Sequence, residues 1–285
     1  MFNPDLTKAV EDFSRLLLPV SEKDLERHWE WKSHKGEGIR FAFFVTIQQL
    51  RQLAVTLVAK HKPPTQAQHI LGQYHRQYMD LQAAVFGLSA EDANRAPTEG
   101  EWSVRQAYGH MLSADIYFSV VVRYALENHR AGMWKPKRPP DEDELRLIGM
   151  SEEEFNTLTK DAPLNKMLGY HRKFHPEIVQ EFSRITNAEL ELPAVMWEDI
   201  HFPIRHRLHR YEAHLIQHTV QVDKTLAAIG QFPNETKRLI RHLFAALAEV
   251  EENLIGDDNL EKECTPLAKE IKERTVEIRE ILENN

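Results

Sequence analysis

RYEAHLIQHTVQVDKTL, residues 210–226, reads as one long amphipathic helix. With its neighbours it places Ile204, Leu208, Tyr211, Leu215, Val222, Leu226 and Ile229 at spacings of three and four, the stripe by which a helix faces a bundle core. His218 falls inside that stripe. His214 precedes it by one turn, so the two imidazoles share a face, and Gln221 follows three residues later on the same side. A second stretch, EWSVRQAYGHMLSADIYF (101–118), turns Val104, Ala107, Met111, Ala114 and Phe118 inward and carries His110 on the flank of that face. A buried imidazole without a partner costs about 1–3 kcal/mol, so three converging ones need hydrogen-bond partners or a cation. A metal is the simplest common partner, although HxxxH also occurs in helices whose rings are solvated or singly hydrogen-bonded.

The rest of the chain repeats the same period. Amphipathic stretches at about 4–18, 37–61, 66–86, 103–129, 164–186, 203–229, 234–254 and 260–283 are joined by polar linkers, glycine is scarce, and no strand alternation stands out, so the fold class is all-α. Ser103 followed three residues later by Gln106 has the form of a capping box and marks one helix start. Residues 66–230 supply the four helices that close a bundle around an inward-facing site. Residues 1–62 and 231–285 then form N- and C-terminal helical extensions, which have the option of packing on each other. A weak internal echo, PVSEKDLERHWEWKSHKGEGIRFAF (19–43) against GLSAEDANRAPTEGEWSVRQAY (87–108), aligns Val45 with His110 and suggests a second bundle without the histidines, or a coincidence of amphipathic helices. The Pro- and acid-rich connector 130–163 is too long for a tight hairpin and reads as a lid over a pocket or a surface excursion.

Length and composition narrow the function classes. The 285 residues are 42% hydrophobic and 28% charged, ordinary for a globular chain with a sizeable core. With 36 basic against 44 acidic residues the net charge is −8, which argues against a nucleic-acid or anionic-membrane partner. The single cysteine, Cys264, excludes an internal disulfide framework and CxxC zinc sites, and a cytoplasmic location is expected. The first twenty residues lack a signal-peptide core, and the longest unbroken apolar runs are too short to span a bilayer.

Several metal and cofactor chemistries lack their residues. The zincin pattern HExxH is absent because Leu215 follows His214, and a di-iron carboxylate site is unsupported because only Glu198 with His201 gives an ExxH pair, in a predicted loop. No GxSxG, Walker A or GxGxxG occurs. Three neutral imidazoles at His110, His214 and His218 would hold a divalent metal such as Zn, Ni or Fe and leave a position open, where a water or an incoming thiol is activated. No side chain is assigned as a catalytic acid or base. Gln221, Tyr211 and Asp115 are candidates to orient ligands or substrate, against core packing for Tyr211 and a surface or helix-pair charge for Asp115. Tyr74, His75, Tyr78, Trp134 and Trp197 are either aromatics at a pocket mouth or ordinary packing.

Two segments carry a family resemblance. LSAEDANRAPTEGEWSVRQAYGHML (88–112) is similar to the entry into the second helix of the DinB-like superfamily, and HLIQHTVQVDK (214–224) to its fourth-helix HxxxHxxQ. The resemblance covers about 66–230 and implies a DinB-like up-down four-helix bundle holding a divalent metal on His110, His214 and His218. It also implies a small-molecule substrate, with thiol S-transfer from a low-molecular-weight thiol or metal-assisted hydrolysis as the reaction. The alternative is a non-catalytic interaction protein with a structural or vestigial three-histidine site, in which the helical run 234–285 serves as a homodimer or partner surface.

Overall fold

The computed structural model describes all residues except 1, 33, 134–136, 197–199, 258 and 285. Its helices are α1 (Pro4–Leu17), α2 (Ile39–Lys60), α3 (Gln66–Ala84), α4 (Ala90–Asn94), α5 (Val104–Arg130), α6 (Asp141–Ile148), α7 (Glu152–Asn156), α8 (Leu164–Phe182), α9 (Ile204–Ala228), α10 (Glu235–Glu252) and α11 (Thr265–Glu283). The fold is all-α. The strands among the described residues are β1 (Pro193–Val195) and β2 (His201–Pro203), a short antiparallel hairpin that leads into α9 and that the periodicity did not announce.

The chain divides into two compact units, one of residues 1–64, 79–87 and 232–285, the other of residues 65–78 and 88–231. α3 passes from the second to the first after Tyr78. The first unit holds α1, α2, α10 and α11. The Asn3 side chain accepts from the Leu6 amide (2.8 Å) to start α1, whose Leu6, Ala9, Val10, Phe13 and Leu17 form a buried stripe against α10 and α11. α2 is long and apolar enough to cross a bilayer by length and composition; Phe43, Val45, Leu50 and Leu57 are buried where it packs on α10 and α11, while Phe44, Val55 and Val58 are exposed. The apolar stripe of α11, with Leu267, Ala268, Ile271 and Ile278, is likewise covered inside this unit.

The second unit is organised around α5, which packs on α4, α6, α8 and α9. The capping box is realised: the Gln106 amide donates to Ser103 Oγ (3.3 Å), and the Ser103 amide donates to Gln106 Oε1 (2.9 Å). The described part of the 130–163 connector is structured. Leu147 of α6 packs on Val120 and Tyr124 of α5, and a π-turn at Thr157–Asp161 runs against Gly109. That approach needs the glycine, because a Cβ there would lie 2.0 Å from the Thr159 carbonyl oxygen. Gly→Ala inside a helix ordinarily gains up to about 1 kcal/mol. Gly109→Ala is expected instead to destabilise by about 1–3 kcal/mol through overpacking, and a raised urea midpoint would show that the turn yields freely.

Candidate metal centre

α5 and α9 face each other so that the three histidines point their ring nitrogens at one spot. His214 Nε2 lies 3.2 Å from His110 Nε2 and 3.1 Å from His218 Nε2, and one ligand atom from each ring fits within 4.8 Å of the others. Ring centroids are 5.1 Å apart for His110 and His214, 4.8 Å for His110 and His218, and 4.4 Å for His214 and His218. His214 and His218 are buried and His110 is exposed. A tetrahedral cation with bonds of ~2.1 Å holds its ligand nitrogens roughly 3.4 Å apart, so the observed separations suit the donor set.

The surroundings favour lone pairs over protons at that spot. Burial, then the neighbouring His218 and His110 rings and Arg210, lowers the His214 pKa to about 3. Burial and His218 lower that of His110. His218 Nδ1 donates to Gln221 Oε1 (2.7 Å), which fixes the ring and, in the neutral tautomer, turns the Nε2 lone pair toward the trio. His214 Nδ1 is buried without a hydrogen-bond partner among the described residues. Three nitrogens this close cannot all be satisfied by the protons available among neutral rings, whereas one cation satisfies all three lone pairs.

Aromatic rings clamp the trio. The Trp102 ring lies 5.1 Å from His110 and is stacked at 6.4 Å on His218, while Phe118 meets His214 edge-on at 5.8 Å and Tyr211 at 5.3 Å. Trp102 is 42% exposed and Phe118 is buried, so one covers the site from outside and the other supports it from the core. Trp102 owes its position to the turn before α5. The Glu101 amide donates to the Thr98 carbonyl (3.2 Å) and Gly100 adopts φ +84°, the left-handed conformation that glycine enters without a Cβ clash.

A model of the DinB superfamily matches residues 73–222, from α3 through all three histidines to α9. The chain belongs to the DinB superfamily. Searches of curated proteins and of solved structures return no match. Membership in the DinB superfamily accords with the all-α fold, while the reaction has to be argued from the site.

Of the other residues singled out in the sequence, Gln221 touches a histidine and Tyr211 lies behind the site. Tyr211 is fully buried, as core packing requires, and its hydroxyl has no hydrogen-bond partner among the described residues. Asp115 is not a surface charge. It is completely buried, with Oδ2 accepting from Tyr74 Oη (2.8 Å) and facing His171 Nε2 (3.2 Å). Tyr74, His75 and Tyr78 line no mouth, since all three are buried. Trp134, Trp197 and Glu198 lie outside the described residues.

These groups belong to a second polar cluster that the sequence reading missed. His171 Nδ1 pairs with Tyr108 Oη (2.9 Å), His75 Nδ1 with His175 Nε2 (2.9 Å), and Tyr78 stacks on His175 at 3.8 Å. The network ties α3, α5 and α8 together inside the unit. Burial, then His75 and His171, pushes the His175 pKa well below the ordinary histidine value. The folded chain therefore refuses a proton that the unfolded chain takes below about pH 6.5. Stability present above that pH is lost as the pH falls toward the folded value. Metal-free protein is expected to show a lower urea midpoint at pH 5 than at pH 7.5, less so in His175→Phe, and equal midpoints at the two pH values would refute this.

Proposed function

We propose that the protein is a metal-dependent enzyme acting on a small molecule, with His110, His214 and His218 as the ligands of one divalent cation. The observation that carries this reading is the convergence of three Nε2 atoms, with His214 Nε2 3.2 and 3.1 Å from the other two. When bound, the cation supplies Lewis acidity that activates a thiol or a water. Of the two reactions, thiol transfer to a small electrophile and hydrolysis, the first asks less of the protein's own side chains. Among the described residues no carboxylate joins the three histidines, so a ready general base for hydrolysis is missing from the cluster. Cys264 is unsuited as the nucleophile because burial and the nearby Glu251, Glu261 and Glu263 raise its pKa to about 12. The sulfur then comes from a cosubstrate thiol.

The chain's own contributions are specific. Gln221 holds the His218 ring in the tautomer that presents Nε2, Phe118 backs His214, and Trp102 restricts water above the histidines. The covering of the α11 stripe within its own unit favours this reading over an interaction protein that pairs through 234–285.

Elemental analysis of the protein as purified is expected to give about one divalent metal per chain, and a protein that holds none and takes up none on titration with Zn2+, Ni2+ and Fe2+ ends the proposal. Gln221→Ala is expected to weaken the metal about 10–100-fold while leaving the helix content unchanged, read by competition with a chromophoric chelator. Affinity equal to that of the native chain would show that Gln221 does not orient the ring.

A further inference from the structure

Beside the histidines lies a cleft of about 630 Å³ between the Pro97–Trp102 turn and the outer face of α9. It adjoins the candidate metal centre through two residues of its lining, since Trp102 packs on His110 and His218, and Gln221 holds His218. The charges in its lining are one carboxylate, Glu101 from the turn, and one ammonium, Lys224 from α9. Both side chains are exposed, and neither makes a hydrogen bond or ion pair with any described residue. Two opposite charges flank the same cleft without neutralising each other. The same lining holds an exposed indole, Trp102, and an exposed aliphatic side chain, Val220. The amide N–H groups of Gln221 are not used by His218, whose Nδ1–H takes the carbonyl oxygen.

We propose that this cleft binds the enzyme's substrate or cosubstrate by a zwitterionic head group of the amino-acid type, its carboxylate on Lys224, its ammonium on Glu101 and a flat or apolar body against Trp102 and Val220. The balance of charge decides the class. A phosphate or dicarboxylate gains Lys224 but is repelled by Glu101, and a simple amine gains Glu101 but is repelled by Lys224. A molecule carrying both charges gains on both sides, and each contact is a charge-assisted hydrogen bond in a partly enclosed site. The inference rests on the proposed metal function for what happens to the ligand, not for how the ligand is recognised.

Three probes of one shape and different charge test it in the full-length protein: L-phenylalanine, 3-phenylpropionate and phenethylamine, titrated calorimetrically with and without chelator. Phenylalanine is expected to bind about tenfold tighter than either singly charged probe, the value of one charge-assisted contact. Lys224→Met is expected to lower the affinity for phenylalanine and phenylpropionate by a similar factor and, by removing a repelling charge, to tighten phenethylamine. Glu101→Gln is expected to do the same with the two singly charged probes exchanged. Trp102→Ala should weaken all three. Equal affinities for the three probes, no binding of any of them, or variants that leave the order unchanged overturn the inference. The two proposals fail separately. A protein that takes up no metal but still selects phenylalanine keeps the cleft and loses the enzyme, while a metal-loaded protein blind to these charges keeps the metal site and loses the zwitterion.

Discussion

His214→Ala is expected to abolish stoichiometric metal binding, with a fall in affinity above ~100-fold, larger than the 10–100-fold typical of residues that only orient a ligand. His214 is the hinge of the trio. Its Nε2 lies within 3.2 Å of both others, so its removal takes away the nitrogen nearest to each and leaves only two imidazoles at the spot. His218→Ala should come close to the same loss, and His110→Ala should follow, since two imidazoles do not complete a site of this kind. The helices should survive, because α9 keeps Leu208, Tyr211, Leu215 and Val222 in its core stripe. Metal content after gel filtration and far-ultraviolet circular dichroism read the two halves of this expectation. Native metal stoichiometry in His214→Ala would remove the basis for the enzymatic proposal.

The second large effect lies deeper in the same unit. Asp115→Ala is expected to cost about 3–5 kcal/mol of unfolding free energy, because it deletes the acceptor shared by Tyr74 Oη and His171 Nε2 and leaves both polar groups buried without it. The carboxyl group sits completely out of solvent, and its Oδ1 has no hydrogen-bond partner among the described residues. Asp115→Asn, which keeps one carbonyl oxygen for the tyrosine, should lose about half as much by the same argument. Urea unfolding followed by tryptophan emission and circular dichroism gives both values. A loss below about 1 kcal/mol for the alanine variant, the scale of one ordinary hydrogen bond, would mean that the network relaxes around the gap and does not secure α3, α5 and α8.

The helical bundle and the three-histidine trio were legible because both are written in local spacing. His218 interrupts an apolar stripe, His214 stands one turn before it, and His110 follows a capping box that places it on its helix. The second cluster was not legible, although HRKFH at 171–175 has the same HxxxH spacing as 214–218. What separates the two pairs is their partners. His214 meets another helix's histidine, while His171 meets Asp115 and Tyr108, which lie 56 and 63 positions away in the chain. Asp115 occupies an inner-face position four residues after Met111, and it read as a surface or helix-pair charge because Tyr74, the donor 41 residues earlier, has no local signature. The short helices of the connector and the β1–β2 hairpin escaped for a related reason: pieces of three to eight residues hold their shape through packing on α5 and α9 more than through any period of their own.

The turn at Gly100 has an optical consequence. It sets an indole with its ring centre 5.1 and 6.4 Å from those of two imidazoles, so the molecule carries its own reporter of what those rings hold. Energy and electron transfer from an excited indole to an open-shell ion decline steeply with distance, and this ring stands at the near limit. Nickel or iron entering the site should darken its emission, zinc should leave it bright, and replacing Trp102 by phenylalanine should erase the contrast.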